Sequence, residues 1–136
     1  MNPELEMALR LLLATALGAT IGFQRWWAGK PAGVRTHALV SLGAALFTAV
    51  SLQGFGIDAE PSRVASGIVA GIGFIGAGAI IRERTRGDVI VGITTAASIW
   101  AVAALGMAAA VGMYVISVVA TVLAFVLLLV PTGSKD

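Results

Sequence analysis

Arg82-Glu83-Arg84 sets one carboxylate among arginines, directly after an apolar block that ends at Ile81. Arg35-Thr36-His37 opens a second such block, and Arg25 closes a third. Ionisable groups at the edge of an apolar layer are costly unless paired, and such positions tend to carry function. Arg25, Arg35, Thr36, His37, Arg82 and Glu83 are therefore the candidate functional rim, with Glu83 expected to pair with Arg35 or Arg82. Arg25, Arg84 and Arg86 also read simply as charges that orient the chain across a bilayer. His37 is the one histidine, and a lone histidine reads first as a satisfied structural residue. There is no Cys, so disulfides, thiolate chemistry and Cys metal sites are excluded. No nucleophile–base pair, ATP-binding loop or metal-hydrolysis set stands out, so neither an enzyme nor a bound cofactor is expected.

Two further patterns are candidates. His37, Ser41, Thr48 and Ser51 recur at helical steps, and Thr94, Thr95 and Ser98 fall within one turn. Ser and Thr in apolar helices bond back to their own backbone or join helices. Ser41, Thr48, Thr94, Thr95 and Ser98 would otherwise form a shared polar seam, expected between the second, third and fourth spans. Glycine clusters at Gly18 and Gly22, then at Gly67, Gly71, Gly73, Gly76 and Gly78. In lipid, helices associate by close backbone approach, which small residues permit. The second cluster is denser than one packing face needs, which suggests a thin or locally unwound span along a pathway. Gly71-Ile72-Gly73-Phe74-Ile75-Gly76 is no dinucleotide fingerprint, because no strand–helix unit or downstream acid accompanies it.

The elements that hold these residues follow from composition. The chain has 136 residues, 58% hydrophobic and 12% charged, against about 25% charged in an ordinary soluble domain. An excess of 9 basic over 7 acidic residues is too small to suggest nucleic acid. A helix needs about 20 apolar residues to cross a bilayer core. The sequence offers spans at about 5–23, 36–53 and 64–81. The stretch 89–130 has no charged residue and is long enough for two more, at about 89–105 and 107–130, reversing near Gly106 or Gly112. Strands are not expected. Glu4 and Glu6 at the start argue for a retained first span rather than a cleaved signal. Loop one holds Arg25, Lys30 and Arg35, and loop three holds Arg82, Arg84 and Arg86, so both are expected in the cytoplasm. The prediction is an all-α bundle of five spans, with the N-terminus outside and the C-terminus, near Lys135, inside. Residues 1–136 are expected to be one transmembrane domain with no soluble C-terminal domain.

Three motifs in order resemble the MgtC/SapB family. They are Gly22-Phe23-Gln24-Arg25 with Gly29-Lys30-Pro31-Ala32-Gly33-Val34-Arg35-Thr36-His37, the run from Gly71 through Arg82-Glu83, and Gly92-Ile93-Thr94-Thr95-Ala96-Ala97-Ser98. The resemblance implies a five-span protein of the bacterial inner membrane linked to growth at low Mg²⁺ and to virulence, and it offers the F-type ATP synthase as a possible partner class. Gln24 and Val91 depart from it, since Glu and Arg often stand there in the family. The expected function is a non-enzymatic regulator of Mg²⁺ homeostasis, acting by helix–helix contact with a membrane partner or as a homodimer. The alternative is a transporter or channel for an ion or small solute. The spans hold no Asp or Glu in their middle thirds, whereas Mg²⁺ favours carboxylate oxygens.

Overall fold

The computed structural model describes residues 1–83 and 87–132, with Arg82 and Glu83 described in their backbone only. Arg84, Arg86 and Lys135, used above in the charge argument, lie outside the described residues. Five helices follow one another: α1 Pro3–Trp27, α2 Val34–Gln53, α3 Pro61–Gly78, α4 Ile93–Ala110 and α5 Tyr114–Leu129. Between α3 and α4 runs a small antiparallel hairpin, β1 Ile81–Glu83 with β2 Val89–Val91, in the register Ile81↔Val91.

Each boundary has a local cause. Asn2 Oδ1 accepts from the Glu4 N–H at 2.9 Å, and Pro3 follows where a missing N–H does no harm. Glu4 and Glu6 in the first turn and Arg25 in the last oppose the helix dipole. Pro61 likewise starts α3. Gly112, at φ +88°, turns the chain from α4 into α5. Gly106, the other position considered for that turn, lies buried inside α4 instead.

Helix four was expected from Val89, yet Val89–Val91 pairs as a strand and the helix begins at Ile93. Gly92 explains the offset. It holds φ +92°, and a Cβ there would collide with the Ala79 carbonyl, so the hairpin is pressed against the end of α3. Helix three correspondingly stops at Gly78 rather than Ile81, and helix five begins at Tyr114 rather than Met107.

At about 1.5 Å per residue, α1 is about 37 Å long, against a bilayer core of about 30 Å. Three described helices, α1, α2 and α4, are long and apolar enough to cross a membrane, while α5 is apolar but shorter. These same three helices pack most closely on one another. Their contacts are made of small residues: Ala14 of α1, Ala45 of α2, and Ala109 and Ala110 of α4 form one buried cluster. The helices cross at Ser41. A Cβ on Gly18 would stand 2.6 Å from both His37 O and Ser41 Cβ, and a Cβ on Gly106 would meet the Ser41 carbonyl. Ser41 Oγ donates to Ala14 O at 2.6 Å. Helix α5 closes one side over Ile21, Val102 and Leu105, while α3 lies on the periphery with only Ile72 and Gly76 buried.

Candidate functional site

Among the buried polar side chains, Arg25, His37, Ser41, Thr95 and Ser98 make contacts that join α1, α2 and α4. The seam expected between the second, third and fourth helices is therefore displaced toward α1, because α1, not α3, fills the inner position beside α2 and α4. Arg25, in the last turn of α1, is 3% exposed, and its Nη2 donates to Thr95 Oγ1 at 2.8 Å. Nearly one turn along α4, Ser98 Oγ lies 2.8 Å from His37 Nε2 and 2.8 Å from Thr95 O. His37 Nδ1 stands 2.9 Å from the Gly33 carbonyl, and the whole side chain is buried.

The hydrogens of this network can be counted. A carbonyl only accepts, so His37 Nδ1 carries a hydrogen and donates to Gly33 O. In the neutral ring, Nε2 is then an acceptor. Ser98 has one hydroxyl hydrogen and two acceptors within reach, Nε2 and Thr95 O. The neutral network is thus one hydrogen short, and the Ser98 hydroxyl has two alternative orientations. Arginine, threonine, serine and imidazole together bind α1, α2 and α4 at the end of the bundle where α1 finishes and α4 starts.

The other rim residues are arranged differently. Arg35 is exposed at the start of α2. Thr36 is half-buried beside a cavity of about 690 Å³, whose wall includes Lys30, Gly92 and Thr95. Arg82 and Glu83 have their backbones in β1, while their side chains, and so the expected pairing of Glu83, lie outside the described residues. Among the seam candidates, Ser41 bonds across to α1, whereas Thr48 Oγ1 donates back to Ala44 O in its own helix at 2.7 Å. Thr94 turns to the edge of a smaller cavity near Gln24.

The glycines also divide. Gly18 lies against α2, and Gly22 lies under the Gly33–Val34 backbone, with a would-be Cβ 2.6 Å from Gly33 O. Gly76 faces Ala96 with room to spare, at 3.5 Å from its carbonyl. Gly67, Gly71, Gly73 and Gly78 have nothing within 4 Å of a would-be Cβ. Helix α3 is continuous through all of them, not unwound.

Sequence reading missed two polar anchors. Gln24 is buried, and its Nε2 donates to Leu128 O at 3.1 Å, joining α1 to α5. At the opposite end, Arg10 pairs with Glu6 and donates to Tyr114 Oη at 2.9 Å and Ala110 O at 2.8 Å. The available signal was a pair of opposite charges one turn apart, Glu6 and Arg10, inside the apolar span 5–23. Among the described residues, no group of three or more His, Asp or Glu side chains is placed to hold a metal ion.

The family model described as MgtC family matches residues 11–134. The chain belongs to the MgtC family. Among its relatives in that family, it is 43% identical over 130 residues to YhiD of Escherichia coli K12, provisionally named a magnesium transporter. That alignment covers 90% of this chain and 59% of YhiD. It is 43% identical over 115 residues to Protein MgtC of Salmonella typhimurium, covering 85% of this chain and 48% of the relative. It is 40% identical over 141 residues to Protein SrpB of Synechococcus elongatus, covering 96% of this chain and 76% of the relative. The chain thus spans less than two thirds of the YhiD and MgtC relatives. No solved structure matches.

Proposed function

We propose that this MgtC-family chain is a multi-pass protein of the bacterial inner membrane with five spans, N-terminus outside and C-terminus cytoplasmic. We propose that it serves Mg²⁺ homeostasis, and with it growth at low Mg²⁺ and virulence, as a non-enzymatic regulator. It works by helix–helix contact, with α3 meeting a second copy or another membrane protein such as the ATP synthase that the family resemblance suggests.

The observation that carries this reading is α3. Its face through Gly67, Gly71, Phe74 and Gly78 is unused within the chain, and Phe74 is 82% exposed. Lipid tails give no hydrophobic force between helices, so a glycine face has value mainly where another backbone can approach it. The interior polar groups, by contrast, tie α1, α2 and α4 together. The test is chemical crosslinking in native membranes. Gly71→Leu should abolish the crosslinked species while the protein still inserts. Crosslinking unchanged in that variant refutes the contact.

One observation favours a transporter as the second reading. The cavity of about 690 Å³ reaches from Lys30 and Thr36 to Thr95 of the buried network, in the manner of a vestibule. The name of YhiD points the same way. Proteoliposomes then decide between the two. Mg²⁺ flux that Thr95→Val abolishes supports the transporter, and no flux with folded protein supports the regulator.

A further inference from the structure

The cavity of about 690 Å³ is of the size that holds a small molecule. Its polar side chains bring hydrogen-bond donors to the wall, and three of these are unused. Thr95 is 3% exposed and its Oγ1 accepts from Arg25, yet its own hydroxyl hydrogen meets no acceptor among the described residues. A buried donor left without an acceptor bears the cost of its desolvation and calls for an explanation. Thr36 is half-buried on the same wall, and its hydroxyl has no partner among the described residues. Lys30 is half-buried there too, and its ammonium has neither an ion pair nor a hydrogen bond among the described residues.

The fold holds these donors in place. Lys30 stands between Gly29, at φ +73°, and Pro31, whose ring fixes its own φ and restricts the residue before it. The Lys30 N–H also donates to Arg25 O at 3.0 Å, which ties the loop to the end of α1. Thr36 lies in the first turn of α2 and Thr95 in the first turn of α4. The remaining wall is largely apolar, with Ile75 of α3, Val91 of β2 and Ile99 of α4. Lys30 is the one charged side chain among the described wall residues, and none of them is Asp or Glu. A divalent cation would thus meet donors where it needs oxygen acceptors.

We infer that this cavity binds a monoanion with an apolar body, the carboxylate of a medium-chain fatty acid. The carboxylate pairs with the Lys30 ammonium and accepts from the hydroxyls of Thr36 and Thr95, since its two oxygens accept about four hydrogen bonds. One negative charge balances Lys30, whereas a phosphate dianion would leave a second charge enclosed without a partner. The alkyl chain lies against Ile75, Val91 and Ile99, which removes apolar surface from water on both sides. The transporter reading uses this same cavity, but the inference needs only that the cavity is filled. Binding is read without a gradient, so a failure of flux leaves it standing.

The test is isothermal titration calorimetry of the full chain in phosphatidylcholine nanodiscs, with empty nanodiscs as the blank. Octanoate should bind, and octanol, which has the same chain without the charge, should bind about tenfold more weakly. Lys30→Gln should weaken octanoate about tenfold and leave octanol unchanged. Thr36→Val should weaken octanoate by a smaller factor, because it removes a neutral donor. Equal binding of octanoate and octanol, or octanoate binding unchanged in Lys30→Gln, overturns the anion site. Displacement of octanoate by inorganic phosphate at equal concentration overturns the carboxylate in favour of a soluble phosphate. Loss of octanoate binding in phosphatidylglycerol nanodiscs, beyond the change in empty ones, overturns it in favour of a lipid headgroup. Should Lys30→Gln fail to fold, the comparison of octanoate with octanol on the unaltered chain still decides.

Discussion

Gly18 and Gly71 look alike in sequence, and their alanine variants should behave in opposite ways. A Cβ on Gly18 would sit 2.6 Å from the His37 carbonyl oxygen and 2.6 Å from Ser41 Cβ. Neither atom can rotate aside, so α1 and α2 must separate. A Cβ on Gly71 meets nothing within 4 Å. Alanine gains about 1 kcal/mol over glycine in a helix interior, and at Gly71 that gain stands alone. At Gly18 it is opposed by an overpacking cost of about 1–3 kcal/mol. Separating the helices also weakens the Ser41 Oγ to Ala14 O bond, worth about 0.5–1.5 kcal/mol. Gly18→Ala should therefore lose about 0.5–3.5 kcal/mol net, and the two variants should differ by about 1.5–4.5 kcal/mol. The assay is loss of helicity during SDS titration in mixed micelles, at dilution where only monomer is present. Equal midpoints for the two variants, or a more stable Gly18→Ala, would refute the placement of α1 against α2.

Other variants probe the polar contacts. Thr95→Val removes the acceptor for Arg25 Nη2 and should cost about 1–3 kcal/mol in the same titration, while Thr95→Ser should recover most of it. Gly92→Ala forces a non-glycine residue to φ +92° and drives its Cβ into the Ala79 carbonyl, so its stability in the same titration should fall by about 1–2 kcal/mol or more. Tyr114→Phe loses the bond from Arg10 Nε but keeps the guanidinium over the ring, so its midpoint should fall by less than that of Thr95→Val.

The five helices were legible because their apolar runs are long and continuous rather than alternating, and because Gly112 was one of the two positions considered for the last reversal; the start of α3 at Pro61, three residues before the expected Val64, was not. Nor was the hairpin. Val89-Ile90-Val91 is as apolar as the helix after it, so hydropathy merges the two, and only the positive φ of Gly92 separates them. Which helix lies inside was also hidden. Arg25 and Thr95 are 70 positions apart, and nothing local says that they meet. The richest glycine run drew attention to α3, yet the tight glycine contacts of α1 and α4 with the α2 segment fall at Gly18, Gly22 and Gly106, where a single glycine faces a carbonyl of α2 or the Gly33 carbonyl that precedes it. Composition gives the number of glycines, while their partners depend on tertiary placement. Ser41 and His37 were legible as one helical face, but not that this face turns toward α1 and α4.

A regulator that works by helix–helix contact requires a partner on α3. The chain has no native cysteine, so single cysteines placed along α3 report that contact without background. Oxidative crosslinking in native membranes should peak at positions 67, 71, 74 and 78, which share the open face. It should fall to a minimum at 72 and 76, which face the bundle. A flat profile, or no crosslinked species at any of these positions with the protein correctly inserted, would contradict a contact between copies through α3.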